Sequence, residues 1–410
     1  MKTSFRRQAY NIFFRLSPLL IVVLLELSLR FLGFGESYKL FELSADKKYY
    51  ELNSHYYRRF ISSEQFPDAD ILQQRFPEKK DENSKRIFLI GDQSFCSVFP
   101  DANRRQIVPD FYGPDSTYYD IVQLAVPLSN SFALSHLVKK LSHYGADGCV
   151  ILSGSGELYG LPRKSAWMQD IHNYWGLTMY VNLKAHRFLQ LLDRFVYVKK
   201  EKNSEFPPQD IDKWAIPSES GEFREVLAFY ERNIQRMIEI AEFPLFFVNL
   251  PANIKVRPYR SDFNDKEMRD AEIAKEGAIL VDNADRFTVE RWIEELEAWE
   301  SETAIYYYCL AMINERKEEK DKAVKNYEKA LRLDVFRVRP QWETDQLIRE
   351  YTASGENVNI DVYTEMKKAA SDGLKINRFF RDGLALNTSG ETFFRQMLKT
   401  ALTRYYKNSE

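Results

Sequence analysis

The residues able to do chemistry gather at a few points of this chain. Ser94 follows the apolar run Arg86-Ile87-Phe88-Leu89-Ile90 and the turn Gly91-Asp92-Gln93. A serine at a strand-to-helix turn can act as an acyl-transfer nucleophile if a base stands ready to take its proton. The five histidines are His55, His136, His143, His172 and His186, so none lies in the second half of the chain. His136 and His143 fall on one predicted helix and read as surface residues. His172, in the segment before Trp175, is the best placed of the five to act as a base or ligand. Ser155 with an acidic base is a further arrangement of the same kind. Asp92, Glu157 and Asp382 are acids at the ends of apolar segments. They would either cluster to bind a sugar or cation, or hydrogen-bond the backbones of their own loops, and the second is the commoner role. Cys96, Cys149 and Cys309 have no CxxC or other metal-ligand spacing. Three free thiols are expected, with no metal site and no cofactor.

The elements that would position these residues can be read from hydrophobic runs. Strands are predicted at 86–90, 119–124, 148–152, 245–250 and 278–282, and a helix over 131–144. Continuous apolar strands alternating with amphipathic helices predict an α/β fold, a parallel sheet with helices on both faces. Its catalytic residues would then sit at the carboxyl ends of the strands. From about 289 to 350 the pattern changes to long helices without a strand. There Tyr307, Leu310 and Ala311, then Ala323, Tyr327 and Ala330, fall at the offsets of a tetratricopeptide repeat. One such unit cannot bury its own face, so it must lean on the main domain or on flanking helices.

The N-terminus carries a different signal. Lys2, Arg6, Arg7 and Arg15 precede an apolar run from Leu16 to Leu32 that is interrupted by Glu26 and Arg30, an i,i+4 pair. Its length is near the roughly 20 residues that cross a bilayer. Basic residues ahead of it predict a cytoplasmic N-terminus, an uncleaved signal anchor and an extracytoplasmic remainder. The expected organisation is therefore 1–33 for the cytoplasmic end and anchor, and 34–84 for a lead-in. The α/β domain would occupy 85–288 and 351–410, with 289–350 as a helical insertion. A net charge of −2, from 58 basic and 60 acidic residues, provides no field to attract nucleic acid, which is excluded as a partner.

Four stretches resemble the sequence blocks of the SGNH (GDSL-type) hydrolases, in the family's order. They are most similar to its membrane-anchored bacterial branch with a tetratricopeptide insertion. Arg86 to Ser94 resembles the first block, Val122-Gln123-Leu124-Ala125 with Asn130-Ser131 the second, and Ile151 to Gly160 the third. Phe380-Arg381-Asp382-Gly383-Leu384-Ala385 resembles the last, Asp-x-x-His. The resemblance implies a flavodoxin-like sheet and puts Gln93 at the nucleophilic serine position. Ala125 stands at the oxyanion-hole glycine, Gly156 at the asparagine and Ala385 at the histidine. Gly91, Asp92, Gly154, Glu157 and Asp382 are block residues that survive.

An amide cannot replace an alkoxide, and Ala385 cannot accept a proton. The expected protein is a pseudohydrolase, a binding or scaffold module on the outer face of a bacterial inner membrane. Its partners would be a glycan or lipid-linked ligand, or a protein docking on the helical insertion. The competing expectation is an active ester hydrolase or O-acyl transferase with a relocated apparatus such as Ser94 with His172.

Overall fold

The structure is a computed structural model that describes residues 17–18, 20–60, 74–102, 104–127, 129–154, 156–159, 174–196, 216–259, 286–298, 302–339, 342–370 and 373–409. The apolar runs form a six-stranded sheet: β1 (Ser84–Gly91), β2 (Phe111–Tyr112), β3 (Tyr118–Ala125), β4 (Gly148–Leu152), β5 (Leu245–Asn249) and β6 (Val358–Asp361). Its order is β2-β3-β1-β4-β5-β6. Only the β2–β3 pair is antiparallel, and the other pairings are parallel. Ranked along the chain, the five parallel strands run 2-1-3-4-5, the order of flavodoxin-like doubly wound sheets. The switch point of that order falls between β1 and β4, where the first and third sequence blocks end.

Both faces of the sheet are covered because side chains alternate across a strand. Ile87 and Leu89 belong to a buried cluster with Phe394, Leu398 and Leu402 of the helix Thr388–Ser409. Phe88 and Ile90 point the other way and are equally inaccessible. At the amino end of the sheet, Arg86 is a buried brace. It donates to Asp120 (2.8 Å), to Tyr144 O (3.0 Å) and to Pro77 O (2.7 Å), and its guanidinium lies over the Phe76 ring.

The predicted strand 278–282 lies outside the described residues. A strand not predicted from the sequence, Val358–Asp361, pairs with β5. Four helices, Arg286–Glu297, Ala304–Arg316, Lys320–Leu333 and Trp342–Thr352, occupy the stretch read as a helical insertion. Ala311, Ala323 and Tyr327 enter the same cluster as the sheet residues. Ile305, Cys309 and Ile313 pack on Trp292 and Leu296 of the preceding helix. The hairpin thus leans both on the main domain and on a flanking helix, as a solitary helical pair must. Cys149 and Cys309 are buried free thiols, and Cys96 is a half-buried one.

The chain divides into two compact units. One comprises residues 43–51, 70–163 and 205–410 and holds the sheet, and the other comprises 1–42, 52–69 and 164–204. In the smaller unit Glu36 N–H donates to Gln190 Oε1 (2.8 Å), and Arg59 donates to Val181 O and Asn182 Oδ1. Among the described residues no helix is long and apolar enough to cross a membrane. Residues 1–16 and 19, which include the start of the apolar run, lie outside the described residues.

Candidate functional site

Strand β1 ends at Gly91, Asp92 caps the helix Gln93–Val98, and the turn between them is the strand-to-helix elbow that the sequence suggests. The turn tolerates only glycine at 91, because a Cβ there would stand 2.2 Å from Phe95 Cβ. Strand β3 ends at Ala125, in register with Gly91, and the chain then turns so that Asn130 caps the helix Ser131–Leu141. Strand β4 runs into Gly154, whose φ of +145° excludes other residues, and then into the short helix Gly156–Tyr159. Three strand ends therefore converge on one point, with Gln93, Ser94, Ser131, Gly156 and Glu157 around it.

Asp92 is the centre of this point and is fully buried. Its Oδ1 accepts the Ser94 amide at 2.7 Å, the capping bond of the helix. Its Oδ2 has no well-aligned hydrogen-bond donor among the described residues and faces Gly156. A Cβ at residue 156 would lie 2.9 Å from that oxygen and 2.8 Å from Ser129 O. The space in which a side chain at 156 would begin is thus taken by the Asp92 carboxylate. Gly156 N–H, the remaining donor of that block, is spent on Ser94 Oγ at 2.8 Å. Ser94 is completely buried.

Glu157 lies beside this arrangement. Its two oxygens accept the amide (2.7 Å) and the hydroxyl (2.8 Å) of Ser131. Asn233 Nδ2, from the helix Gly221–Ile240, donates to that same hydroxyl at 2.8 Å. Tyr230, one turn earlier, hydrogen-bonds Ser153 Oγ at 3.1 Å. Burial pushes the Asp92 carboxyl up to about 7, against hydrogen bonds from Ser94 and Gly154 that pull it down. Burial, and then the Asp92 charge, raise Glu157 well above the ordinary carboxylate range. With both acids buried and the charge of one acting on the other, ionising the pair fully is costly.

The remaining predicted residues are elsewhere or inert. Gln93 is buried and curls back on its own helix, donating to Ser97 Oγ at 3.2 Å. Ala385 is buried in the last block. Leu386 N–H donates to Val98 O at 2.9 Å, which sets that block against the C-terminal end of the Gln93 helix. Asp382 is exposed and accepts the Leu384 and Ala385 amides, both at 2.8 Å. The three acids therefore do not form one cluster. Asp92 and Glu157 are both buried and the charge of the first acts on the second, Asp382 is exposed, and each hydrogen-bonds backbone amides. His143 is exposed, but His136, read from sequence as a surface residue, is buried. Its ring packs on Phe132 at 4.8 Å, one turn back on the inward stripe of the helix. His172 and Ser155 lie outside the described residues. No group of acids, histidines and cysteines that could hold a metal occurs among the described residues.

Tyr230 and Asn233 went unread in the sequence. The signal was present, since an asparagine in the stripe Phe223, Tyr230, Ile234, Met237 must meet a partner in the interior.

No protein-family profile matches the chain, and no curated protein does. Among solved structures, one similar chain is a protein from Parabacteroides merdae named as GDSL-like and a lipase. It is 8% identical, with a TM-score of 0.29, over 77% of this chain and 94% of that one.

Proposed function

We propose that this chain is a degenerate SGNH-type hydrolase that has given up ester hydrolysis and serves as a membrane-anchored, extracytoplasmic binding or scaffold module. The observation that carries the proposal is the closed elbow. Gln93 stands where a nucleophile is needed, and the Asp92 carboxylate fills the space beside Gly156. The Gly156 amide is bonded to Ser94 Oγ instead of being free to polarise a carbonyl. Acyl transfer requires an exposed oxygen nucleophile, a base and free donors aimed at a developing oxyanion. The elbow offers none of these to a substrate. Ser94 is the wrong candidate for a relocated nucleophile, because its hydroxyl is buried and already occupied by the Gly156 amide.

The retained glycine and acidic positions fit this reading. Gly91, Gly154, Asp92 and Glu157 hold the strand ends together whether or not chemistry follows. A contact surface on the helices of 289–350, and a glycan or lipid-linked ligand in the cell envelope, are the associations the proposal favours. The basic residues ahead of the apolar N-terminal run support the anchorage.

The test is hydrolysis of a small activated acetate ester by the full chain, beside Ser94→Ala. Loss of a nucleophile and base together removes about 10⁴–10⁶ of turnover. A rate equal to buffer for both proteins is expected. A clear rate abolished in Ser94→Ala would overturn the proposal.

A further inference from the structure

Two helices of the smaller unit carry almost no charge, yet each leaves an apolar side uncovered. The helix Tyr174–Leu183 contains no acidic or basic residue. Leu177 and Val181 are buried, whereas Trp175, Met179 and Leu183 are exposed, Trp175 by 72%. At 3.6 residues per turn these two sets lie on opposite faces of the helix. The exposed stripe is a second apolar face and not the fringe of the first. A helix that is apolar all round is stable where both sides are covered.

The N-terminal helix, residues 20–31, is exposed on all sides from Leu20 to Leu24; beyond that it buries Leu29, while Leu27 and Phe31 continue an exposed apolar side. Its one acid, Glu26, is withdrawn from that apolar side. The carboxylate accepts Phe188 N–H (2.8 Å) at the start of the helix Arg187–Val196 and pairs with Arg30 Nε (2.8 Å). The amino end of a helix is a favourable place for an anion, so Glu26 clamps the N-terminal helix to the smaller unit.

That clamp decides what covers the second face. Glu26 lies two residues beyond Leu24, about 3 Å along the helix axis. Wherever a bilayer receives Leu20 to Leu24, it must begin within a turn or two of the surface of this unit. An exposed tryptophan on an uncharged helix suits the boundary between headgroups and acyl chains.

We infer that Trp175, Met179 and Leu183 form a membrane-contact surface, seated at the lipid boundary where the N-terminal helix enters the bilayer. The inference rests on the proposed anchorage and extends it. The smaller unit lies on the membrane instead of hanging from a free stalk, and the anchor leaves the lipid near Glu26.

The test places a fluorescent probe at Met179→Cys and, separately, at Leu24→Cys of the full chain. The unsubstituted chain reports background from its own thiols. The proteins are reconstituted into vesicles of phosphatidylethanolamine and phosphatidylglycerol, with brominated acyl chains or aqueous iodide as quencher. Both positions are exposed, so folding is kept, and unchanged near-ultraviolet circular dichroism checks it. The expected result is quenching of both probes by bromolipid, with the Met179 probe shielded from iodide. Quenching at position 24 with position 179 open to iodide would leave the anchor standing and overturn the contact surface. No lipid quenching at either position would overturn both. A probe at 179 shielded from iodide yet untouched by bromolipid would overturn the lipid assignment in favour of a protein cover, and cross-linking would identify a second copy.

Discussion

Replacing Asp92 by asparagine should raise stability at neutral and alkaline pH and flatten its dependence on pH. The Asp92 carboxyl is buried, is pushed up to about 7, and would ordinarily titrate at 3.8. An acid whose pKa is raised by folding binds its proton more tightly in the native state than in the unfolded chain. Its contribution is therefore fully present below 3.8 and is lost as the pH rises through about 7. The gap between the two values corresponds to about 4 kcal/mol at pH 8. Glu157, raised by burial first and then by the Asp92 charge, adds to the fall in the same direction, and the part of its shift due to that charge should go with it. The amide introduced by Asp92→Asn keeps an oxygen to accept the Ser94 N–H, so the cap is preserved. Urea unfolding of the wild type and of Asp92→Asn at pH 5 and pH 8 measures the effect. The expected gain at pH 8 is about 2–4 kcal/mol, allowing for coupling to Glu157. At pH 5 the two proteins should be much closer. A wild type whose stability is flat from pH 4 to 7, or a variant weaker than wild type at pH 8, would refute the reasoning.

Three other substitutions probe the same architecture. Gly156→Ala should lose about 1–3 kcal/mol by equilibrium unfolding, although alanine normally gains in a helix, because its Cβ would meet Ser129 O at 2.8 Å and the Asp92 carboxylate at 2.9 Å. A variant as stable as wild type would mean that the elbow is open. Gly91→Ala should be more severe, because its Cβ would stand 2.2 Å from Phe95 Cβ; thermal melting and expression yield read the loss. Arg86→Ala should cost about 3–5 kcal/mol, since the half-buried Asp120 carboxylate and the Tyr144 and Pro77 carbonyls would lose a fully buried partner. In Arg86→Ala with Asp120→Asn, part of that loss should return in the same unfolding measurement.

The sheet was legible where strands are central and uniformly apolar. Ile87 to Ile90, Cys149 to Leu152 and Leu245 to Val248 are buried on both sides, and nothing but a covered parallel strand suits such runs. Val358–Asp361 is not among the predicted strands, because an edge strand with Asn359 and Asp361 looks like a loop. His136 was misread because a histidine on a helix has no preferred side until its neighbours are known. At the site, the proposed loss of chemistry rests on residue types alone: the resemblance to SGNH hydrolases puts Gln93, Gly156 and Ala385 where a nucleophile, a side-chain donor and a base would be required. What filled the gap was not plain. The contact of Asp92 with Gly156, and of Ser131 with Glu157 and Asn233, joins residues 64, 26 and 102 positions apart, and no local period records such pairings.

The helix Thr388–Ser409 closes one face of the sheet by laying Phe394, Leu398 and Leu402 into the cluster of Ile87 and Leu89. Those partners are separated by roughly 300 residues of chain, which a ribosome takes about 15–60 s to add. During that interval the part of the β1 face that this helix covers stays open, while β3, β4 and later β5 emerge and become able to pair beside it. A nascent chain in this state presents a broad apolar sheet to its surroundings, and the demand on cellular holding chaperones is set by the lateness of one helix.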